Sequence, residues 1–109
     1  MKVMQRGVMR ILPGKMAEAM KLLEEYMAVV SRLVGVPREK LPMKTYSPFI
    51  GGGDSLHTIV FEVEWDSFAE MAAFFEKAMA DPEIGAFMPK WEVVEQSHEV
   101  ELYMAMPTA

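Results

Sequence analysis

Cysteine is absent from the 109 residues, and so is asparagine. Without thiols there is no disulfide framework, no thiolate nucleophile and no zinc–sulfur site. Histidine occurs only at His57 and His98, and two possible ligands with no third beside them make no metal centre. Positive charge is scarce: eleven Lys and Arg against sixteen Asp and Glu leave a net charge of −5. The clustered basic footprint of a nucleic-acid binder or a polybasic membrane anchor is therefore missing. No stretch approaches eighteen consecutive apolar residues, and the start, Met1 to Arg6, has no uninterrupted apolar segment of signal-peptide length. The expectation is a soluble cytoplasmic protein with no membrane span, no nucleic-acid partner and no cofactor.

The chain does contain enough apolar material for an unaided core. Hydrophobic residues make up 51% and charged residues 25%, a globular composition. A chain of this mass buries about 65% of its surface on folding, so residues 1–109 are read as one domain.

Apolar periodicity sets the order of elements. Lys2 to Leu12 alternates as a strand, with Val3, Gln5, Gly7, Met9 and Ile11 on one side and Met4, Arg6, Val8, Arg10 and Leu12 on the other. Lys15 to Val34 is a helix whose Met16, Met20, Leu23, Met27, Val30 and Val34 recur at three- and four-residue spacing. Gly35 is placed to end it, and Pro37 stops its continuation. Met43 to Ile50 reads as a short strand, kept to an edge by Pro48. Gly51-Gly52-Gly53 is a loop: no Lys-Ser/Thr follows it and a strand comes next, so the phosphate-cradle context is missing.

Leu56 to Trp65 is the strongest strand, with His57, Ile59, Phe61, Val63 and Trp65 on one face. Ser67 and Glu70 form a capping-box pattern for a second helix with a stripe of Phe68, Met71, Ala72, Phe75 and Met79. Asp81-Pro82-Glu83 starts a short third helix to about Met88. Ser97 to Met106 is the last strand, and Pro107 to Ala109 a fraying tail. Strand-helix-strand-strand-helix-strand is the ferredoxin-like α+β sandwich, with an antiparallel four-stranded sheet.

Two helices cover one face of such a sheet. The covered face takes Val3, Met9, Ile11, Ile59, Phe61, Val63, Trp65, Val100, Leu102 and Met104. The opposite face would carry Met4, Arg6, Val8, Arg10, Thr58, Val60, Glu62, Glu64, Glu99, Glu101 and Tyr103. That mixture is too apolar for a freely solvated surface and too charged for a dry core. A second copy of the same sheet is the expected cover, enclosing a barrel between the two.

Glu64-Trp65-Asp66-Ser67 leading into a helix, with Ala80-Asp81-Pro82-Glu83 after it, resembles the dimeric α+β barrel proteins and, among them, NIPSNAP-like domains. The resemblance spans nearly the whole chain. It implies a homodimer with a pocket between sheet and helices, and no settled activity. The same short motifs also occur in antibiotic-biosynthesis-type monooxygenases of this fold, whose haem-degrading and cofactor-independent members use an Asn–Trp–His set. Here Trp65 has no asparagine to accompany it, and Phe74-Phe75 stands where the helical histidine would be. Trp65 is accordingly read as a core aromatic at a strand end.

The candidate ligand-binding or interface residues are Arg6, Arg10, Glu62, Glu64, Glu101 and Tyr103. Enclosed between two sheets, their charges need partners, and a carboxylate there could act as a general base. Interface salt bridges are the competing reading. His57 and His98, alternating onto the helix side near strand starts, are read as structural. Three functional classes stay open: a homodimer holding a small, partly apolar molecule in the barrel, a metal-free monooxygenase acting on an aromatic or polyketide-type substrate, and a non-enzymatic assembly module.

Overall fold

A computed structural model describes residues 2–48 and 55–106. In chain order it contains β1 (Val3–Ile11), α1 (Met16–Val34), β2 (Met43–Tyr46), β3 (Thr58–Trp65), α2 (Phe68–Ala80), α3 (Pro82–Glu92) and β4 (Glu95–Met104). The four strands form one antiparallel sheet in the order β2-β3-β1-β4, with β1 and β3 central. The expected α+β sandwich is therefore present, with three helices in its second layer.

Local chemistry explains most element boundaries. Gly35 ends α1 in the left-handed conformation at φ 69°, its N–H bonded to the Ser31 carbonyl, where an L side chain would be strained. Ser67 Oγ accepts the Glu70 N–H at 3.1 Å. The Asp81 carboxylate accepts the N–H groups of Glu83 and Ile84 at 2.9 and 3.2 Å, satisfying donors that a helix start leaves free.

Four boundaries depart from the sequence reading, one of them β4, which runs Glu95–Met104 rather than Ser97 to Met106. β2 stops at Tyr46, before Ser47 and Pro48, because proline lacks the donor a ladder needs. His57 lies in a 3₁₀ turn ahead of β3 rather than in the strand. α3 runs through Pro89 to Glu92, where Trp91 packs against the core. The expected Gly51–Gly53 loop and the tail Pro107–Ala109 lie outside the described residues.

The core sits between α1 and the middle of the sheet. Ala19, Leu23 and Met27 pack on Met9, Ile11, Ile59, Phe61, Val63 and Val94. A smaller cluster joins the three helices through Val30, Ala78 and Ile84. Met20 and Val34, expected inside, are exposed, since the buried face of α1 follows Ala19, Leu23, Met27 and Val30. α2 is turned similarly. Met71 and Ala78 are buried, whereas Phe68, Ala72, Phe75 and Met79 are exposed. The small Ala78 lets α2 approach Val30 and Ile84 closely, and that contact sets its rotation.

β4 supplies a larger correction. Val100, Leu102 and Met104 do lie on the helix side, in register with the inward-facing Gly7, Gln5 and Val3. Yet they remain 48, 45 and 58% exposed. The helix layer is displaced towards the opposite edge, where Leu41 and Met43 join the core, and leaves the outer strand bare. One ring bridges part of the gap. The Phe61 side chain lies directly over Gly7 and reaches His98 on β4 edge-on, centroids 5.6 Å apart. A Cβ at Gly7 would fall 2.0 Å from the Phe61 Cζ, so any larger residue there forces that ring to shift.

Candidate functional face

The strands project their even-numbered residues of β1, β2 and β3, and the odd-numbered residues of β4 from Ser97 to Tyr103, away from the helices. Register converts this alternation into rows. Lys44 is opposite Glu62, Glu62 opposite Arg6, and Arg6 opposite Glu101. One row across the full sheet thus reads plus, minus, plus, minus. The next row towards the end of β1 is Tyr46, Val60, Val8 and Glu99, and on the other side Met4 stands between Glu64 and Tyr103. Arg10 lies between Thr58 and Ser97.

All six candidates, Arg6, Arg10, Glu62, Glu64, Glu101 and Tyr103, share this open face. Their pairing is uneven. Glu64 binds the Lys2 ammonium at 2.9 Å, and that hydrogen bond, with the Glu64 and Asp66 charges, holds Lys2 protonated above its ordinary range. Arg10 lies 3.7 Å from the Glu99 carboxylate. Both pairs are exposed, where solvent makes such contacts weak. In the row between them, none of Lys44, Glu62, Arg6 and Glu101 makes an ion pair within 4.0 Å among the described residues. Lys44 and Lys2 were not anticipated as members of the face. Lys2 simply continues the alternation of Met4 and Arg6, whereas the side taken by Lys44 depends on how β2 pairs with β3.

Gln5 is the other unanticipated residue. It is buried to 8% exposure on the helix side, a polar amide in an apolar layer. Trp65 Nε1 donates to its Oε1 at 3.0 Å, which satisfies the indole N–H. The Trp65 ring is half-buried and stacks obliquely with Phe74 and Phe75, centroids 5.4 and 6.1 Å away. Trp65 thus packs against the core as expected, with a hydrogen-bonded polar edge.

The histidines do not converge. β1 separates β3 from β4, so His57, before β3, and His98, on β4, stand on different strands' neighbourhoods. His98 Nδ1 is 3.4 Å from Glu95. Among the described residues no three His, Cys, Asp or Glu side chains are grouped to hold a metal ion, and no helix is long and apolar enough to cross a membrane.

No family model matches this sequence, and no curated protein matches it. Solved structures do. A NIPSNAP family protein from Agrobacterium tumefaciens superposes with a TM-score of 0.78 at 22% identity, over 99% of this chain and 89% of its own. An uncharacterized NIPSNAP domain protein from Burkholderia xenovorans gives 0.73 at 20% identity, over 100% and 98%. SnoaB, a cofactor-independent oxygenase from Streptomyces nogalater, gives 0.62 at 16% identity, over 98% and 95%. The architecture inferred from element order is thus found in both groups. This chain shares its fold with NIPSNAP family proteins and with SnoaB.

Proposed function

We propose that the chain is a cytoplasmic homodimer, joined through the open sheet face, that holds a small, partly apolar molecule in the space between the two sheets. The observation that carries this reading is the face itself: four strands wide, mixing Met4, Val8 and Val60 with the charged side chains of Lys2, Arg6, Arg10, Lys44, Glu62, Glu64, Glu99 and Glu101, and covered by none of the described helices. Arg6, Arg10, Glu62, Glu64, Glu101 and Tyr103 line the enclosed space and supply charge and hydrogen bonds. Val8, Val60 and Tyr46 supply its apolar wall.

Light scattering at micromolar concentration tests the assembly. The expected mass is twice 12.3 kDa, and a stable monomer overturns the proposal. Native mass spectrometry of the freshly purified dimer tests the cargo. A bound small molecule supports it, and an empty dimer leaves the assembly module as the better description.

A second reading rests on a different observation. The Trp65–Gln5 pair is on the helix side, the side on which Val100, Leu102 and Phe75 stay uncovered, and SnoaB shares the fold. A metal-free oxygenase acting on an aromatic substrate would use that uncovered side. Dioxygen uptake stoichiometric with oxidation of a polycyclic phenol would favour it. The missing asparagine weighs against it.

A further inference from the structure

The charged row on the open face has an order that distinguishes between ways of seating a second copy. From β2 to β4 it runs Lys44, Glu62, Arg6, Glu101, with alternating sign. Two identical sheets stacked face to face are related by a twofold axis lying between them. When the axis runs along the strands, midway between β3 and β1, the strand order of one sheet is reversed over the other. Lys44 then meets the partner's Glu101, and Glu62 meets the partner's Arg6. When the axis runs across the strands, directly over this row, each of its residues meets its own copy: Arg6 on the partner's Arg6, Glu62 on the partner's Glu62.

We infer that the partner is seated by a twofold axis nearly parallel to the strands, which places four reciprocal ion pairs across the interface: two between Glu62 and the partner's Arg6, and two between Lys44 and the partner's Glu101. This rests on the dimer proposed above and specifies its geometry. Three features support it. The four charges of the row have no ion-pair partner among the described residues, although the charges flanking them, Glu64 and Arg10, are already engaged by Lys2 and Glu99. The neighbouring row agrees, because the same axis lays Val60 on the partner's Val8, apolar on apolar. The reach is also sufficient. Stacked sheets lie about 10 Å apart, a span that one arginine and one glutamate extended towards each other can close.

Twist does not spoil the match. Aligned sheets cross at about 30°, so the axis departs from the strand direction by about 15°. The offset grows with distance from the axis, so the central pair Glu62 and Arg6 keeps its registry better than the outer pair Lys44 and Glu101. The paired row becomes a polar wall of the enclosed space, next to the apolar lining of Val8, Val60 and Tyr46. Charges arranged this way set which orientation is accepted, since like charges brought together are costly.

Charge exchange between subunits tests the axis. Arg6→Glu and Glu62→Arg each place like charges at two symmetric contacts, and each alone is expected to raise the dimer dissociation constant by about a hundredfold. Mixed together, the two variants should form a one-to-one heterodimer within about threefold of wild-type affinity, measured by sedimentation velocity with one variant mass-tagged. If Arg6→Glu instead pairs preferentially with wild type, residues meet their own copies and the inference is overturned. If neither mixture recovers affinity while wild type is dimeric, the inference fails and the homodimer stands. A monomeric wild type removes both. Circular dichroism confirms that each variant is folded. Lys44→Glu mixed with Glu101→Lys repeats the test on the edge strands, with a smaller expected recovery, should a central variant not fold.

Discussion

Two surfaces of this sheet are uncovered, and they differ in kind. The open face carries alternating charges set among valine and methionine. The outer strip of β4 on the helix side is apolar from Val100 onwards, with Val100, Leu102 and Met104 exposed. The first surface carries charges in a fixed order, which under the proposed axis would discriminate among orientations of a second copy. The second has no such code, and will accept whatever removes it from water. They have different origins: the open face is bare because every described helix lies on the other side, and the β4 strip because the helix layer is narrower than the sheet it covers. Side-chain alternation tells which way a residue points, and the position of the helices decides whether it is buried there.

The largest test of the contrast uses two residues on the same side of the same sheet. Ile59 on β3 is buried and packed under α1, whereas Leu102 on β4 is open. Ile59→Ala is expected to lower unfolding stability by about 3 kcal/mol, the cost of a cavity in a dry core. Leu102→Ala should change it by less than about 0.5 kcal/mol. Urea denaturation of both variants measures the difference. Equal losses would mean that something covers the β4 strip in solution.

Gly7 marks the border between the two regimes, because Phe61 crosses above it to reach His98. Gly7→Ala should cost about 2 kcal/mol, the overpacking penalty of forcing that ring aside. In a Phe61→Leu background the same substitution should cost at least about 1 kcal/mol less. A full, undiminished loss in the double variant would show that Gly7 is needed for its backbone rather than for the ring.

How much of this was legible in the sequence follows from which physical effect decides each feature. Val3 to Ile11 alternates cleanly, so both faces of β1 could be read, Arg6 and Arg10 included. Ser67 and Asp81 announce helix starts through short-range hydrogen bonds that need nothing distant. The rotation of α2 was not legible, because it has apolar residues on two adjacent stripes. Phe68, Ala72, Phe75 and Met79 compete with Met71, Phe74 and Ala78, and only the contact with Val30 and Ile84 selects between them. The bare strip on β4 has the same origin, since nothing local to Val100 or Leu102 records where α1 comes to rest. Lys44 joined the charged row only once β2 was paired with β3, a register that no pattern within β2 alone determines.

The smallest expected effect sits where β4 passes from covered to uncovered. Val94 is fully buried and Glu95 largely so, before the strand emerges beside His98. Burial pushes the Glu95 carboxyl above its ordinary range, and the nearby His98 only partly offsets this. The sign of the linkage follows directly. In the folded protein the protonated form is favoured, so the folded state binds more protons than the unfolded chain in the window above the ordinary glutamate value. Stability therefore falls as pH rises through that window, and the penalty persists at neutral pH. Glu95→Gln, which mimics the protonated form, should raise the thermal midpoint at pH 7 by less than about 4 °C, the scale of a sub-kilocalorie change in a domain of this length. At pH 3, where Glu95 is protonated in both states, wild type and variant should melt together. A gain that survives at pH 3 would locate the effect in packing rather than in charge. It would also mean that the start of β4 is less enclosed than Val94 implies.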